Sequence, residues 1–366
     1  MKRCMGNWGP RSGIDELVSF SIENLPTMKL PSGLYCYDMP FSTRERRGES
    51  VRYSLIVLLG LQRAAGGGRG GSDEIDELWE SCLSRRNSFT PGDIGLALWA
   101  DARRDGSASA DLVDQLTHAV SDDQLGALVG MELAWMVIGL AHAVHSHTAA
   151  ESLLGRLTVH LQGDRRASSG LYFHDATTRI RRRLPNFATE IYTLLALTTL
   201  ARKDLLPGAQ DSAEELAGCL VRLQLPDGGW PWIFDAGRGI VVERYEIYTV
   251  HQDAMAPMAL LDLWELTGDK RWARAAVHGL AWSRGRNELH TDLIDLEKQF
   301  AHRSIRRRPA YQRVALAANA FTSGLIGRPL RAGAAAVEVN ETSRPYHLGW
   351  ILEAWAGRDV GAVLSA

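Results

Sequence analysis

Within the stretch VERYEIYTVHQ, Glu243, Glu246, Tyr245, Tyr248 and His251 place two carboxylates, two phenols and an imidazole inside nine residues, with Gln252 next and Pro257 shortly after. Carboxylates and imidazoles exchange protons near neutral pH, and phenols donate to developing oxyanions, so this set can run acid–base chemistry. The same residues have plainer uses. Acids at a helix start complement its dipole, and tyrosines fill cores.

A second group lies in NETSRPYHLGWILEAW, where Glu341, Arg344, Tyr346 and His347 precede an apolar run. Arg344 could pair with Glu341, or its planar fork could clamp a carboxylate or phosphate while His347 transfers protons. A third is FAHRSIRRR: if helical, it would bring His302, Arg303 and Arg306 toward one face, as an anion clamp or as a solvated charge run. Smaller clues are Glu49, Arg52 and Tyr53, then Glu132 and Trp135, then Glu190 and Tyr192. Trp230 and Trp232, beside Asp227 and Asp235, offer the apolar face and polar edge that hold a pyranose ring. Trp230 could equally plug a gap between helices.

The elements that must position these residues repeat. LQGDRRASSGLYFHDA (Leu161 to Ala176) and LQLPDGGWPWIFDA (Leu223 to Ala236) share Leu-Gln, a polar turn, Gly, aromatics and Asp-Ala. Looser copies, SGLYCYD at Ser32 and IGLALWADA at Ile94, set Gly33, Gly95, Gly170 and Gly229 at intervals of 62, 75 and 59 residues. That period fits a helical hairpin plus a long loop.

Between these loops, runs such as SVRYSLIVLLGLQRA, MELAWMVIGLAHAV and NFATEIYTLLALTTLA are apolar nearly all round at helical spacing. Each is followed by a more amphipathic helix, such as DEIDELWESCLSR or SAEELAGCLVRLQ. Buried inner helices alternating with half-wet outer ones predict an all-α (α/α)6 toroid. The inner helices are expected near residues 50, 126, 186, 249, 312 and 344. A weak outer partner falls at 328–338, and Ala108 to Val120 is an extra helix without a place. The reading is a single domain, 1–366, with residues 1–31 as an N-terminal extension.

Lys plus Arg number 41 against 43 acids, for a net charge of -2, which gives no basic excess for nucleic acid. The four cysteines, Cys4, Cys36, Cys82 and Cys219, form no CxxC pair, arguing against a zinc knuckle or a disulfide framework. There is neither a signal-peptide h-region nor a long uncharged apolar span, so the expectation is a cytoplasmic protein with no transmembrane segment, no metal and no cofactor.

With its residues Gln224, Asp227, Gly228, Gly229 and Trp230, followed by TGDKRWARAA, the chain resembles the α/α-toroid superfamilies. These are the six-hairpin glycosidases, uronate epimerases and lyases on one side, and the terpenoid cyclases and prenyltransferases on the other. The resemblance implies a ligand-binding ring and leaves its chemistry open. No DxDD or DDxxD string supports the prenyl branch; Asp122-Asp123 lacks the rest of either motif.

The function expected is therefore an enzyme acting on an acidic sugar or oligosaccharide by hydrolysis, elimination or epimerisation, with a cytoplasmic setting pointing to polysaccharide biosynthesis. Glu246, His251, Tyr248, Glu243 and His347 are the expected catalytic groups. Trp230, Trp232, Asp235, Gln252, Arg303, Arg306, Arg344, Tyr346, Glu132, Trp135, Glu190 and Arg52 are the expected binding groups. The alternatives are a terpenoid-cyclase-like enzyme with a non-standard acid, and a non-catalytic ligand-binding toroid.

Overall fold

The computed structural model describes residues 10–69, 71–121, 125–145, 147–175, 182–311 and 334–365. Within them the chain folds as helical hairpins. The inner members are α2 (Val51–Gly66), α4 (Pro91–Asp105), α6 (Gly130–Ala143), α8 (Phe187–Arg202), α10 (Ala256–Thr267) and α12 (Pro345–Trp355). Immediately ahead of α10 runs a π-helical turn, His251–Met255. The outer members are α1 (Pro10–Asn24), α3 (Ser72–Leu83), α5 (Ala110–Ala119), α7 (Thr148–Gly163), α9 (Ala209–Leu223) and α11 (Lys270–Ser283), with a short α13 (Val360–Ser365) at the end.

The inner helices pack in order α2, α4, α6, α8, α10, α12 and back to α2, closing the ring. Each carries one outer helix, α3, α5, α7, α9 and α11 on the first five and α1 on α12. The fold is an (α/α)6 toroid, and three features of its assembly differ from expectation. IGLALWADA is no loop but part of inner helix α4. The unplaced segment 108–120 is the outer partner of α4. Within the stretch expected as an extension, α1 buries Ile14, Leu17, Val18 and Phe20 against the core. The inner helix expected near 312, and most of its partner at 328–338, lie outside the described residues, as do Cys4 and Asp122-Asp123. The described end of that partner is a 3-10 turn, Ala334–Ala336, leading into a β-strand that starts at Val337.

All inner helices run the same way. Tyr53 meets Tyr346 near one end of the α2–α12 pair, while Arg63 donates to the Ala356 carbonyl at the other. Polar caps start them: Ser50 accepts from Tyr53 N–H, Thr90 forms a capping box with Asp93, and Asn186 accepts from Thr189 N–H. Close approach depends on glycine. A Cβ on Gly60 would lie 2.2 Å from the Gly349 carbonyl oxygen, and one on Gly139 would lie 2.2 Å from that of Gly95. Gly95 is thus a helix-packing residue, contrary to its reading as a loop glycine.

At the helix N-terminal ends the loops fold into small antiparallel sheets that form the rim of the mouth. Strands β1 (Cys36–Pro40) and β2 (Arg47–Glu49) join β10 (Thr342–Ser343), and β3 (Ile233–Asp235) pairs with β4 (Ile240–Glu243). Strand β5 (Ile247–Tyr248) pairs with β8 (Ser304–Arg307), which pairs with β9 (Val337–Asn340), while β6 (Ile294–Asp295) pairs with β7 (Phe300–Ala301).

Replacing Gly60 by Ala should lower stability by about 1–3 kcal/mol, because the methyl must push α2 away from α12. Gly66→Ala, with open space around its Cβ, should be neutral or stabilising by up to about 1 kcal/mol. Urea melts of the two variants check this.

Candidate functional site

Three loops reach the mouth through the same turn. Gly33, Gly170 and Gly228 all have positive φ, which only glycine adopts readily. Their amides donate to the carbonyls of Leu30, Ala167 and Leu225 respectively. In the third copy the turn glycine is therefore Gly228 rather than Gly229. The residue that follows each turn is then fastened to an inner helix. Tyr35 N–H donates to Ser54 Oγ at 2.9 Å, Tyr172 N–H to the Glu190 carboxyl at 3.0 Å, and Trp230 N–H to Gln252 Oε1 at 2.7 Å. Glu190 and Gln252, expected to bind ligand, are fully buried and serve as these fasteners. Burial pushes the Glu190 carboxyl well above the usual carboxylate range.

Trp230 is buried between α11, where a Cβ on Gly279 would touch its Nε1, and Phe187 on α8, with ring centroids 5.4 Å apart. It is the plug between helices. Glu243 is also engaged, accepting from Arg307 at 2.9 Å and Tyr245 N–H at 3.0 Å in a buried ion pair. Asp235 sits at the β3–β4 hairpin, accepting from Arg238 N–H. Tyr245 packs in a small apolar cluster with Ile247, Trp282 and Ile305.

The FAHRSIRRR stretch is not helical but forms β7 and β8, and alternation within β8 divides Arg306 from Arg307. Arg307 turns inward to Glu243, while Arg306 faces solvent with Glu338. Arg303, just before the strand, points at the mouth, with its Cζ 5.2 Å from the Tyr248 ring centre. Register carries the rest: Tyr248 lies opposite Ser304, and Ser304 opposite Asn340. Glu246 consequently accepts from Ser304 Oγ and, at 3.0 Å, from Asn340 Nδ2. The chain then enters β10, where Ser343 pairs with Met39 of β1. This sets Arg344 4.1 Å above the Tyr37 ring and lets it donate to the Tyr53 hydroxyl. Among the described residues Arg344 forms no ion pair with Glu341.

Tyr53 stacks between Tyr37, at 5.4 Å, and Tyr346, at 4.6 Å. Opposite, Trp232 stacks on His251 at 5.5 Å and meets Tyr248 edge-on at 4.9 Å. Arg52 donates to Asp93 at 2.6 Å and Glu132 at 2.7 Å, with its Cζ 5.2 Å from the Trp135 ring. Sequence reading missed Asp93, Tyr37, Ser304 and Asn340. Only Asp93 had a local signal, its place at N3 of a Thr-capped helix.

Arg344 hydrogen-bonding draws the Tyr37 phenol below its ordinary pKa, whereas burial lifts Tyr248 to about 12 and raises Tyr346. Burial lowers His251 to about 3, holding it neutral across the physiological range. Its Nδ1 is buried without a hydrogen-bond partner among the described residues. Its ring packs against Phe187, Trp232 and Tyr248. His347 is buried, with Nε2 2.8 Å from Asp253 Oδ1. Among the described residues no group of His, Cys, Asp and Glu could hold a metal ion, and no helix is long and apolar enough to cross a membrane.

Most of the chain superposes on solved toroid enzymes. An unsaturated glucuronyl hydrolase specific for heparin aligns over 96% of this chain and 97% of its own, at 12% identity and TM-score 0.61. Cellobiose 2-epimerase from Bacillus thermoamylovorans aligns over 94% and 98%, at 10% identity and TM-score 0.62. Unsaturated glucuronyl hydrolase from Bacillus sp. GL1 aligns over 96% and 97%, at 11% identity and TM-score 0.62. No family model and no curated protein matches the sequence. The likeness defines the class of fold, the six-hairpin α/α toroid.

Because the folded-state pKa of Glu190 is raised, its protonated form is the one the fold prefers. The unfolded chain ionises first as pH climbs past about 4.3, so this site loses stability between there and the folded pKa. Relative to Glu190→Gln, the wild-type melting temperature should fall from pH 5 to pH 8; parallel melting curves across that range would remove the account.

Proposed function

We propose that the mouth binds an acidic sugar, as a monosaccharide or at the end of an oligosaccharide, and moves protons on it. One observation carries this reading. Arg303 and Arg344 both face the mouth, both act on the phenols of Tyr37 and Tyr346, and neither lies within ion-pair distance of a carboxylate among the described residues. Arg52, Arg307 and Arg358 each have acids. Two guanidiniums without counter-ions, at a rim toward which parallel helix N-termini point, favour an anionic ligand. Aromatic faces at Trp232 and Tyr346 suit the C–H face of a pyranose.

In this reading Arg303 and Arg344 hold the sugar carboxylate. Glu246, steadied by Ser304 and Asn340, and His347 exchange protons with the substrate, and Tyr248 remains protonated and donates. His251 supports Trp232 and Tyr248 from below. The proteins sharing the fold act, by their names, on unsaturated glucuronyl sugars and on cellobiose, which supports a sugar substrate. The charged lining of Arg52, Asp93, Glu132, Glu246, Arg303 and Arg344 weighs against a carbocation cavity.

A thermal-shift panel of uronates, acidic oligosaccharides, neutral sugars and prenyl diphosphates tests the proposal. Saturation at 100 times Kd adds about 2.7 kcal/mol to stability. Uronates should raise the melting temperature of the wild type and of Glu246→Gln but not of an Arg303→Ala/Arg344→Ala double variant. Turnover, followed by NMR of the sugar, should vanish in Glu246→Gln. A shift with prenyl diphosphates alone would sink the proposal.

A further inference from the structure

Pro257 lacks an N–H, so a regular α-helix through this stretch would leave the carbonyl of Asp253, four residues earlier, without its donor. The chain widens here into the π-turn, with Ala256 N–H reaching His251 O, and the Asp253 carbonyl accepts from Trp355 Nε1 at 2.6 Å. The Asp253 side chain is wholly buried. Its Oδ1 lies 2.8 Å from His347 Nε2, and its Oδ2 is buried with no hydrogen-bond partner among the described residues. Both ends of Asp253 are therefore directed at α12.

We propose that Asp253 is a positioning residue that fixes the proton of His347 on Nε2 and presents Nδ1 as its proton-accepting atom, an inference that rests on the acid–base reading of the mouth. The bond made by one imidazole nitrogen decides which nitrogen carries the proton in the neutral ring. A carboxylate accepts only, so Nε2 must donate. No described group hydrogen-bonds to Nδ1, and His347 lies close enough to His251 to act on it electrostatically. As a mere tie between two helices, a buried carboxylate with one oxygen unpartnered is a poor choice, because burying that charge costs more than one hydrogen bond returns. As a means of holding one tautomer in one orientation it fits. A neighbouring acid fastens catalytic and metal-binding imidazoles in the same manner.

The test reads the imidazole nitrogens of His347 by 15N NMR on the full chain without substrate, from pH 5 to 9, then kcat and KM on the sugar found by the thermal-shift panel. Nε2 should carry a proton throughout in the wild type. In Asp253→Asn the neutral ring should shift toward the Nδ1–H tautomer, with kcat down about tenfold or more and KM little changed. His347→Gln, whose amide can still donate to Asp253, should melt like the wild type and show no turnover. A neutral wild-type ring protonated on Nδ1, or Asp253→Asn with unchanged kcat, overturns the positioning role. If Asp253→Asn does not fold, a folded His347→Gln that retains kcat overturns it instead. A wild type that turns over no acidic sugar overturns the proposed reaction alone, since the tautomer is read without substrate.

Discussion

Long loops cannot carry a site unless their buried backbone amides find acceptors, and in this ring the acceptors are side chains of the inner helices. Ser54, Glu190 and Gln252 each take one amide of the residue after a glycine turn. The three are chemically unlike, a hydroxyl, a carboxyl and an amide, yet each offers oxygen to the amide two residues after the turn glycine. An unsatisfied buried N–H costs as much as a lost hydrogen bond, so each clamp fixes its loop to its helix. From Trp230 the chain runs on to Trp232 and the β3–β4 hairpin; from Tyr35 it runs on to Tyr37. The geometry of the rim is inherited from these clamps.

The parallel ring polarises the molecule. Helix C-termini gather at the end away from the mouth, where Arg103 forks onto Glu353 with two bonds of 2.6 Å and Arg358 pairs with Asp262 at 2.5 Å. Arg63 and Arg202 donate to carbonyls there as well. Cations at helix C-termini are where the dipole places them, and their acids neutralise them. At the mouth the balance differs. Arg52 is shared between Asp93 and Glu132, while Arg303 and Arg344 rest on phenol rings, which attract a guanidinium more weakly than a carboxylate does.

Much of the ring was legible. Apolar runs at helical period gave α2, α6 and α8 as inner helices, and the Leu-Gln…Gly repeats gave the loops between hairpins. Helix α4 was harder to see. IGLALWADA mimics a loop copy through Gly95, whose absent side chain serves packing against α6 and not a turn. At the site, Glu246, Tyr248, His251, Arg303, Arg344 and Tyr346 could be picked out from residue type alone, and the structure brings them around one mouth. Glu190, Gln252, Glu243 and Trp230 looked equally suspect and are taken up in buried contacts, because a buried acceptor and a catalytic acid use the same side chains.

Period and composition by themselves determined an all-helical ring, since helix burial is a local property repeated along the chain. Which titratable groups meet was decided only by tertiary structure. Arg303 and Arg306 are three residues apart, yet one precedes β8 and lies over the Tyr248 ring while the other, within β8, faces solvent with Glu338. Tyr37 and Arg344 come from opposite ends of the sequence, and Glu246 acquires its partners only when β8 and β9 pair. Sheet register and ring closure are long-range choices, set by which strands and helices pack together, and no window of local sequence contains them.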